Sequence, residues 1–212
     1  MIRVLIVDDH AVVRHGLKQI LNDCGDLGVA GEAGDGVEAI QWLRRHGQAC
    51  QAVLLDISMP KRSGLDTLAQ LRHEFPRLPV LVLSMYPEDV VGLRTLKAGA
   101  AGYISKTSAP ELLVEAIRQV ASGRKYVSPA LAEQLADSIA GNAREAPHER
   151  LSDREYQTLC LIASGKSLTQ IAEELNISVK TVSVYRARLL EKMRLKNNAE
   201  LIRYALSQGL VA

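Results

Sequence analysis

Two short runs of this chain are apolar at every position, Val4-Leu5-Ile6-Val7 and Val80-Leu81-Val82-Leu83. A strand with one wet face alternates apolar and polar side chains, so a run with no polar position needs cover on both faces. Such strands belong in a parallel sheet with helices packed on either side. Strands are expected at Ile2–Val7, Val29–Glu32, Ala52–Leu55, Val80–Leu83 and Gly102–Ile104. Stretches of helical period lie between them. One places Val13, Leu17, Ile20 and Cys24 on a single face, and another groups Leu113, Ala116, Ile117 and Val120. Five strand–helix units predict a five-stranded, doubly wound parallel α/β sheet over residues 1–122.

Beyond Gly123 the pattern changes. Residues 123–149 read as a linker containing one helix, Pro129–Ala140, followed by a small, polar stretch with Pro147. Residues 150–212 hold no strand candidate and predict a separate all-helical domain. Charge divides along the same line. Ten of the 26 Lys/Arg and seven of the 24 Asp/Glu lie in 148–212, a balance of +3; the remaining sixteen and seventeen give 1–147 a balance of −1. Residues 178–196 alone carry six basic side chains against Glu191, so an anionic partner is expected there. Cys24, Cys50 and Cys160 have no metal-ligand spacing and read as reduced thiols. With no signal-peptide pattern and no apolar run of the ~20 residues that cross a bilayer, the expected location is the cytoplasm.

Ligands of a parallel α/β sheet sit outside the carboxyl ends of its strands. Here those ends carry Asp8 and Asp9, Asp56 and Ser84, with Lys106 just after the last strand. One Asp at a strand end is most often a helix cap or turn residue; the conjunction of four suitable strand ends is what points to a site. Converging carboxylates repel unless a cation compensates them, and Mg²⁺ suits oxygen ligands that leave room for waters and phosphate. An Asp beside such an ion can act as nucleophile toward a phosphoryl group, giving an acyl phosphate. Ser84 and Lys106 would offer a hydroxyl and a cation to the incoming oxygens. His10 reads as a local cap or surface residue, and Trp42 as packing.

In the second domain, Ser152 with Glu155 and Ser167 with Gln170 have the spacing of capping boxes, each opening a helix. Asn176 is placed to take the left-handed turn that ends the second of these, and Ser178 caps a longer helix through about Arg194. Two helices joined by so short a turn make a helix-turn-helix, whose second helix enters the major groove. Val182, Leu189, Leu190 and Met193 form its apolar side, with Tyr185 at the edge. Ser183, Val184, Ala187 and Arg188 lie opposite, where Arg188 can reach guanine edges; Lys180, Thr181, Arg186 and Lys192 flank them as phosphate contacts.

These residues resemble two known families. Val-Asp-Asp-His at 7–10, Leu-Asp-Ile-Ser-Met-Pro-Lys-Arg-Ser-Gly at 55–64, Ser84 and Lys106 resemble the receiver domains of bacterial two-component response regulators, whose fold is flavodoxin-like. That resemblance implies Asp56 as phosphoacceptor, Asp8 and Asp9 as supports for Mg²⁺, and the backbone carbonyl of Ser58 as a further metal ligand. It implies Ser84 and Tyr103 as switch residues and a sensor histidine kinase as partner. The sequence from Leu151 to Leu210, including Ile-Ser-Val-Lys-Thr-Val at 177–182, is similar to the four-helix LuxR-type output domain of the NarL/FixJ class. This implies double-stranded DNA as target, a homodimer when phosphorylated or DNA-bound with Asn198–Gln208 as a dimer surface, and RNA polymerase as a further candidate partner. There are departures from the receiver pattern: Met85 is bulkier than the residue common there, predicting restricted access to the acyl phosphate, and Thr107 replaces a frequent Pro.

The expected function is a response regulator in which Mg²⁺-dependent phosphorylation of Asp56 controls sequence-specific DNA binding and transcription. It is read as a non-enzyme, with at most slow self-phosphorylation and self-dephosphorylation. An Asp-nucleophile phosphohydrolase is the first rival; such enzymes carry a second Asp two residues after the nucleophile, where this chain has Ser58. The second rival is a constitutive DNA-binding protein, favoured only if Asp56→Asn leaves promoter output unchanged.

Overall fold

The computed structural model describes residues 1–59, 64–86, 88–139, 146–175 and 177–211. The chain forms two compact units, Met1–Ile139 and Ala140–Ala212. The first contains five parallel strands, β1 (Ile2–Val7), β2 (Leu27–Ala33), β3 (Ala52–Asp56), β4 (Val80–Ser84) and β5 (Gly102–Ser105), in the order β2-β1-β3-β4-β5. Helices α1 (Ala11–Asn22), α2 (Gly36–His46), α3 (Gly64–Glu74), α4 (Glu88–Lys97) and α5 (Pro110–Ala121) connect and follow them. Val4, Ile6, Leu54 and Leu81 are essentially inaccessible and pack with Leu17, Leu21, Leu113, Ala116, Ile117 and Val120 of α1 and α5. Burying each such side chain contributes about 1.5–3 kcal/mol, which is why the uninterrupted apolar runs end up as central strands.

β2 is longer than the expected Val29–Glu32 because hydrogen bonding to β1 carries it through Leu27, Gly28 and Ala33, with one register shift between Val4 and Leu5. Gly31 is also what lets Trp42 lie on the strand, since a Cβ there would come 2.4 Å from the indole ring. The chain beyond residue 122 continues against the first unit. Tyr126 bridges to Gly102 alongside β5. The helix expected inside a linker, α6 (Pro129–Ile139), belongs to the first unit: its Leu131 is buried, and Leu131 Cδ2 would stand 3.0 Å from a Cβ at Gly92 of α4. Ala140, the last residue of that expected helix, and 141–145 of the expected linker lie outside the described residues.

In the second unit a 3-10 helix (Pro147–Arg150) precedes α7 (Asp153–Ala163), α8 (Leu168–Glu174), α9 (Val179–Met193) and α10 (Asn198–Ser207). Both capping boxes form, Ser152 with Glu155 on α7 and Ser167 with Gln170 on α8. Ser178 and Asn197 cap α9 and α10 through their side chains. Each cap is worth about 1 kcal/mol, enough to set where short helices begin. α9 ends on Arg194 in the left-handed region, φ 57°; the turn assigned to Asn176 lies outside the described residues. Leu159, Ile171, Val182, Leu189, Leu201 and Ala205 are buried between the four helices. No helix among the described residues is long and apolar enough to cross a membrane.

Candidate functional site

Strand register assembles the acidic pocket. Val7 pairs with Leu55, so Asp8 emerges level with Asp56 at the point where the strand order reverses. Asp56 pairs with Leu83, and Ser84 with Ser105, which brings Ser84 and Lys106 to the same edge. Asp56 and Ser84 are wholly buried and Asp8 is 1% exposed. Lys106 Nζ stands 2.8 Å from Asp56 Oδ2 and 2.6 Å from Asp8 Oδ2. Ser58 N–H donates to Asp56 Oδ1 at 2.9 Å, and His10 N–H to Asp8 Oδ1 at 2.8 Å. Gly64, the first residue of α3, presses on this loop: a Cβ there would lie 2.3 Å from Ile57 Cα and 2.6 Å from the Asp56 carbonyl oxygen. Pro60, Lys61, Arg62 and Ser63 of the resembling loop lie outside the described residues.

Burial pushes the Asp56 carboxyl above its usual range; the Lys106 charge only partly offsets this, and Asp8 adds to it. Burial pulls the Lys106 ammonium down, but Asp56 and Asp8 outweigh it and raise the net value. Three carboxylates, Asp8, Asp9 and Asp56, face one ammonium, leaving two negative charges uncompensated in a largely dry site. Oxygen or nitrogen atoms of these three and of His10 lie within 4.8 Å of one another. Asp8 Oδ2 and Asp9 Oδ1 are buried, their near polar neighbours being the Lys106 ammonium at 2.6 Å and His10 Nδ1 at 3.0 Å. Hard oxygen donors with free lone pairs and an excess of two negative charges fit a divalent cation such as Mg²⁺.

Both expected switch residues hold the same neighbour. Ser84 Oγ accepts from Tyr86 N–H at 3.2 Å, while the buried Tyr103 hydroxyl donates to the Tyr86 carbonyl at 2.6 Å. Met85 between them is 62% exposed. Thr107, in the place of the frequent Pro, makes its own contacts with Ser105, its N–H donating to Ser105 Oγ at 3.2 Å. Two further participants stand beside the acids, of which Arg14 was not singled out from sequence. Arg14 of α1 donates to the Asp8 carbonyl at 2.7 Å, reaching back across the turn from β1. His10 occupies the N-cap position of α1 but makes no side-chain cap there; its Nδ1 lies 3.3 Å from Asp8 Oδ1 and 3.0 Å from Asp9 Oδ1.

On α9 the division of faces is that read from sequence. Val182, Leu189, Leu190 and Met193 are buried, Tyr185 is half-buried, and Lys180, Ser183, Val184, Ala187 and Arg188 are exposed. Thr181 is half-buried, its N–H capped by Ser178 Oγ at 3.0 Å. Two of the expected phosphate contacts are engaged within the unit. Arg186 Nε donates to Asn198 Oδ1 at 2.6 Å, and Lys192 Nζ to Glu155 Oε2 at 2.7 Å. The Lys192 ion pair joins α9 to the capping box of α7, so Lys192 is at least partly a structural residue.

The family profile for the response regulator receiver domain matches residues 4–118, and that for bacterial regulatory proteins of the luxR family matches 149–205. The chain is 39% identical to the response regulator UvrY of Escherichia coli over 211 residues, covering 99% of this chain and 96% of that protein. It is 38% identical to the response regulator GacA of Pseudomonas aeruginosa, covering 100% and 98%. Among solved structures, RcsB from Salmonella enterica serovar Typhimurium, bound to promoter rprA in the presence of the phosphomimetic BeF3-, aligns with a TM-score of 0.62 and 27% identity over 96% of this chain and 97% of that one.

Proposed function

Because the chain belongs to the two-component response regulators that join a receiver domain to a LuxR-type DNA-binding domain, we propose that Asp56 is its phosphoacceptor and α9 its DNA-reading helix. The functional division is drawn at 1–122 for the receiver, 123–149 for the connection and 150–212 for the output domain. The observation that carries this reading is the buried Asp56 carboxylate, held by Lys106 at 2.8 Å beside Asp8 and Asp9.

Asp8, Asp9, Asp56 and the Ser58 carbonyl would hold Mg²⁺. When bound, the ion offsets the excess negative charge and draws in phosphoryl oxygens. An Asp56 oxygen bonds to phosphorus as the P–N bond to a sensor kinase's phosphohistidine breaks, and the freed imidazole takes a proton from solvent. The Lys106 ammonium and Ser84 hydroxyl receive the new oxygens. Turning the Ser84 hydroxyl toward the phosphoryl group removes the acceptor from Tyr86 N–H, and Tyr103, bonded to the Tyr86 carbonyl, responds with it. Phosphorylation thereby reshapes the loop after β4 and enriches an active state. In that state the output domain binds DNA as a homodimer: Arg188 reads base edges, Ser183, Val184 and Ala187 permit close approach, and Lys180, Thr181, Arg186 and Lys192 face phosphates. A soluble cytoplasmic regulator that contacts RNA polymerase at its promoter completes the reading, with its own chemistry limited to slow self-phosphorylation and self-dephosphorylation.

Gel-shift selection from random DNA, with and without beryllofluoride, tests the proposal. The expected result is paired half-sites bound more tightly with beryllofluoride; identical binding in both conditions would refute the switch.

A further inference from the structure

At the other edge of the same sheet, before β3, β4 and β5 rather than after them, lies a groove of about 670 Å³. Phe75, Leu78 and Val120 line it together with Arg72, Arg77, Arg124 and Lys125, and no acidic residue is among its lining. None of these four cations pairs with a carboxylate among the described residues. Arg72 Nη1 donates to the Pro76 carbonyl at 2.7 Å, Arg124 Nε to Ser122 Oγ at 3.2 Å and Lys125 Nζ to the Ala100 carbonyl at 2.6 Å. These are neutral acceptors, so the positive charge stays uncompensated. Burial and the Arg72 charge hold the Lys125 ammonium below its usual range.

Four cations around one groove repel one another, and they do so within residues 1–147, whose overall balance is −1. The positive field is therefore local to the groove and is not the overflow of a basic domain. Its volume is that of a small-molecule site, and its mixture of apolar surface with a few charged groups is the usual composition of one. A five-residue strand is roughly 16 Å long, so the groove is separate from the acidic pocket at the far strand ends.

We propose that this groove binds a small organic anion in which a flat apolar ring carries a phosphate or carboxylate. The ring lies against Phe75 and Leu78, and the anionic group is met by Arg72, Arg124 and Lys125. Such a ligand gives the receiver an input that does not pass through Asp56.

The test is amide NMR of the full chain titrated with adenosine monophosphate and with 1-naphthoate, beside adenosine and inorganic phosphate as the separate halves. Saturable shifts at Phe75, Leu78 and Val120 are expected with at least one ring anion and with neither half. Which of the two anions saturates distinguishes a phosphate from a carboxylate ligand. The Arg72→Ala/Arg124→Ala variant should lose the shifts while its remaining spectrum stays that of the folded chain. Should that variant unfold, the single, exposed Arg124→Gln substitution should still weaken binding several-fold. Shifts that never saturate, shifts matched by inorganic phosphate alone, or binding that survives loss of the arginines would each overturn the proposal.

Discussion

At the carboxyl edge of the sheet, Asp8, Asp56 and Ser84 are at most 1% exposed and Lys106 is fixed between two carboxylates. On α9, Ser183, Val184, Ala187 and Arg188 stand in solvent, and only the opposite face is locked. The pocket is a long-range product of strand register, in which each buried charge depends on its partner. The helix face is a local product of a cap and a 3.6-residue period. A substitution in the pocket should therefore alter chemistry or stability of the first unit, whereas one on the α9 surface should alter binding and leave stability alone.

Asp56→Asn should have the largest effect. Asn is isosteric and neutral, so the buried site survives, but the nucleophilic carboxylate is gone. Uptake of a phosphoryl group from acetyl phosphate, read on a phosphate-affinity gel, should vanish while the melting temperature holds or rises. Retained labelling would place the acceptor elsewhere.

Lys106→Met removes the ammonium shared by two buried carboxylates. Breaking such a pair costs about 3–5 kcal/mol, which denaturant unfolding of the first unit should register, together with weak labelling. A loss below about 1 kcal/mol would mean that the pocket is wetter than its burial implies.

Arg188→Ala sharpens the other half of the contrast. Loss of a bidentate base contact costs about 1–3 kcal/mol of discrimination, seen as weaker and less selective operator binding with unchanged stability. Lys180→Ala should lower the salt dependence of DNA binding by about one phosphate's worth. Lys192→Ala should instead lower stability, because Lys192 is bound to Glu155 at 2.7 Å.

Glu155 is the exception that the contrast must absorb, a buried ionised group in the helical unit. Burial raises its carboxyl, but the Lys192 bond and the Ser152 cap outweigh this and leave it below its ordinary range. A depressed carboxylate contributes stability that is present above its unfolded pKa and lost as pH falls through the folded value. Melting of the second unit should thus decline on acidification below the ordinary carboxylate range. Glu155→Gln should flatten that decline and cost about 1–2 kcal/mol at neutral pH.

The same contrast explains what was legible in the sequence. The strands could be read because unbroken apolar runs admit few alternatives, and the acids at their ends followed from topology. β2 was underestimated because Gly28 and the glycine-rich stretch after Ala33 blur its ends, although backbone pairing with β1 continues through Leu27, Gly28 and Ala33. The faces of α9 were readable from period alone. The engagement of Lys192 with Glu155 and of Arg186 with Asn198 was not, since each joins different helices across 37 and 12 residues of sequence. His10 is the exposed residue at the N-cap position that its sequence context suggests, but its ring turns to the acids before it, which the sequence did not show. The amino-edge groove had no sequence signal, because its cations come from two distant stretches, Arg72 and Arg77 before β4 and Arg124 and Lys125 after α5.

Met85 gives the smallest expected effect and the finest test of how closed the pocket is. It follows Ser84 directly, and its bulk predicts some shielding of an acyl phosphate on Asp56 from hydrolytic water. Yet the side chain is 62% exposed, so most of its surface faces solvent and little is spent on covering the site. Met85→Ala should therefore shorten the lifetime of phosphorylated Asp56 by a factor of only about two, about 0.4 kcal/mol in the barrier. A pulse of label followed by a chase at fixed Mg²⁺ would measure it. A tenfold shortening would mean that phosphorylation draws Met85 inward as a lid; an unchanged lifetime would assign water exclusion to the buried strand ends alone.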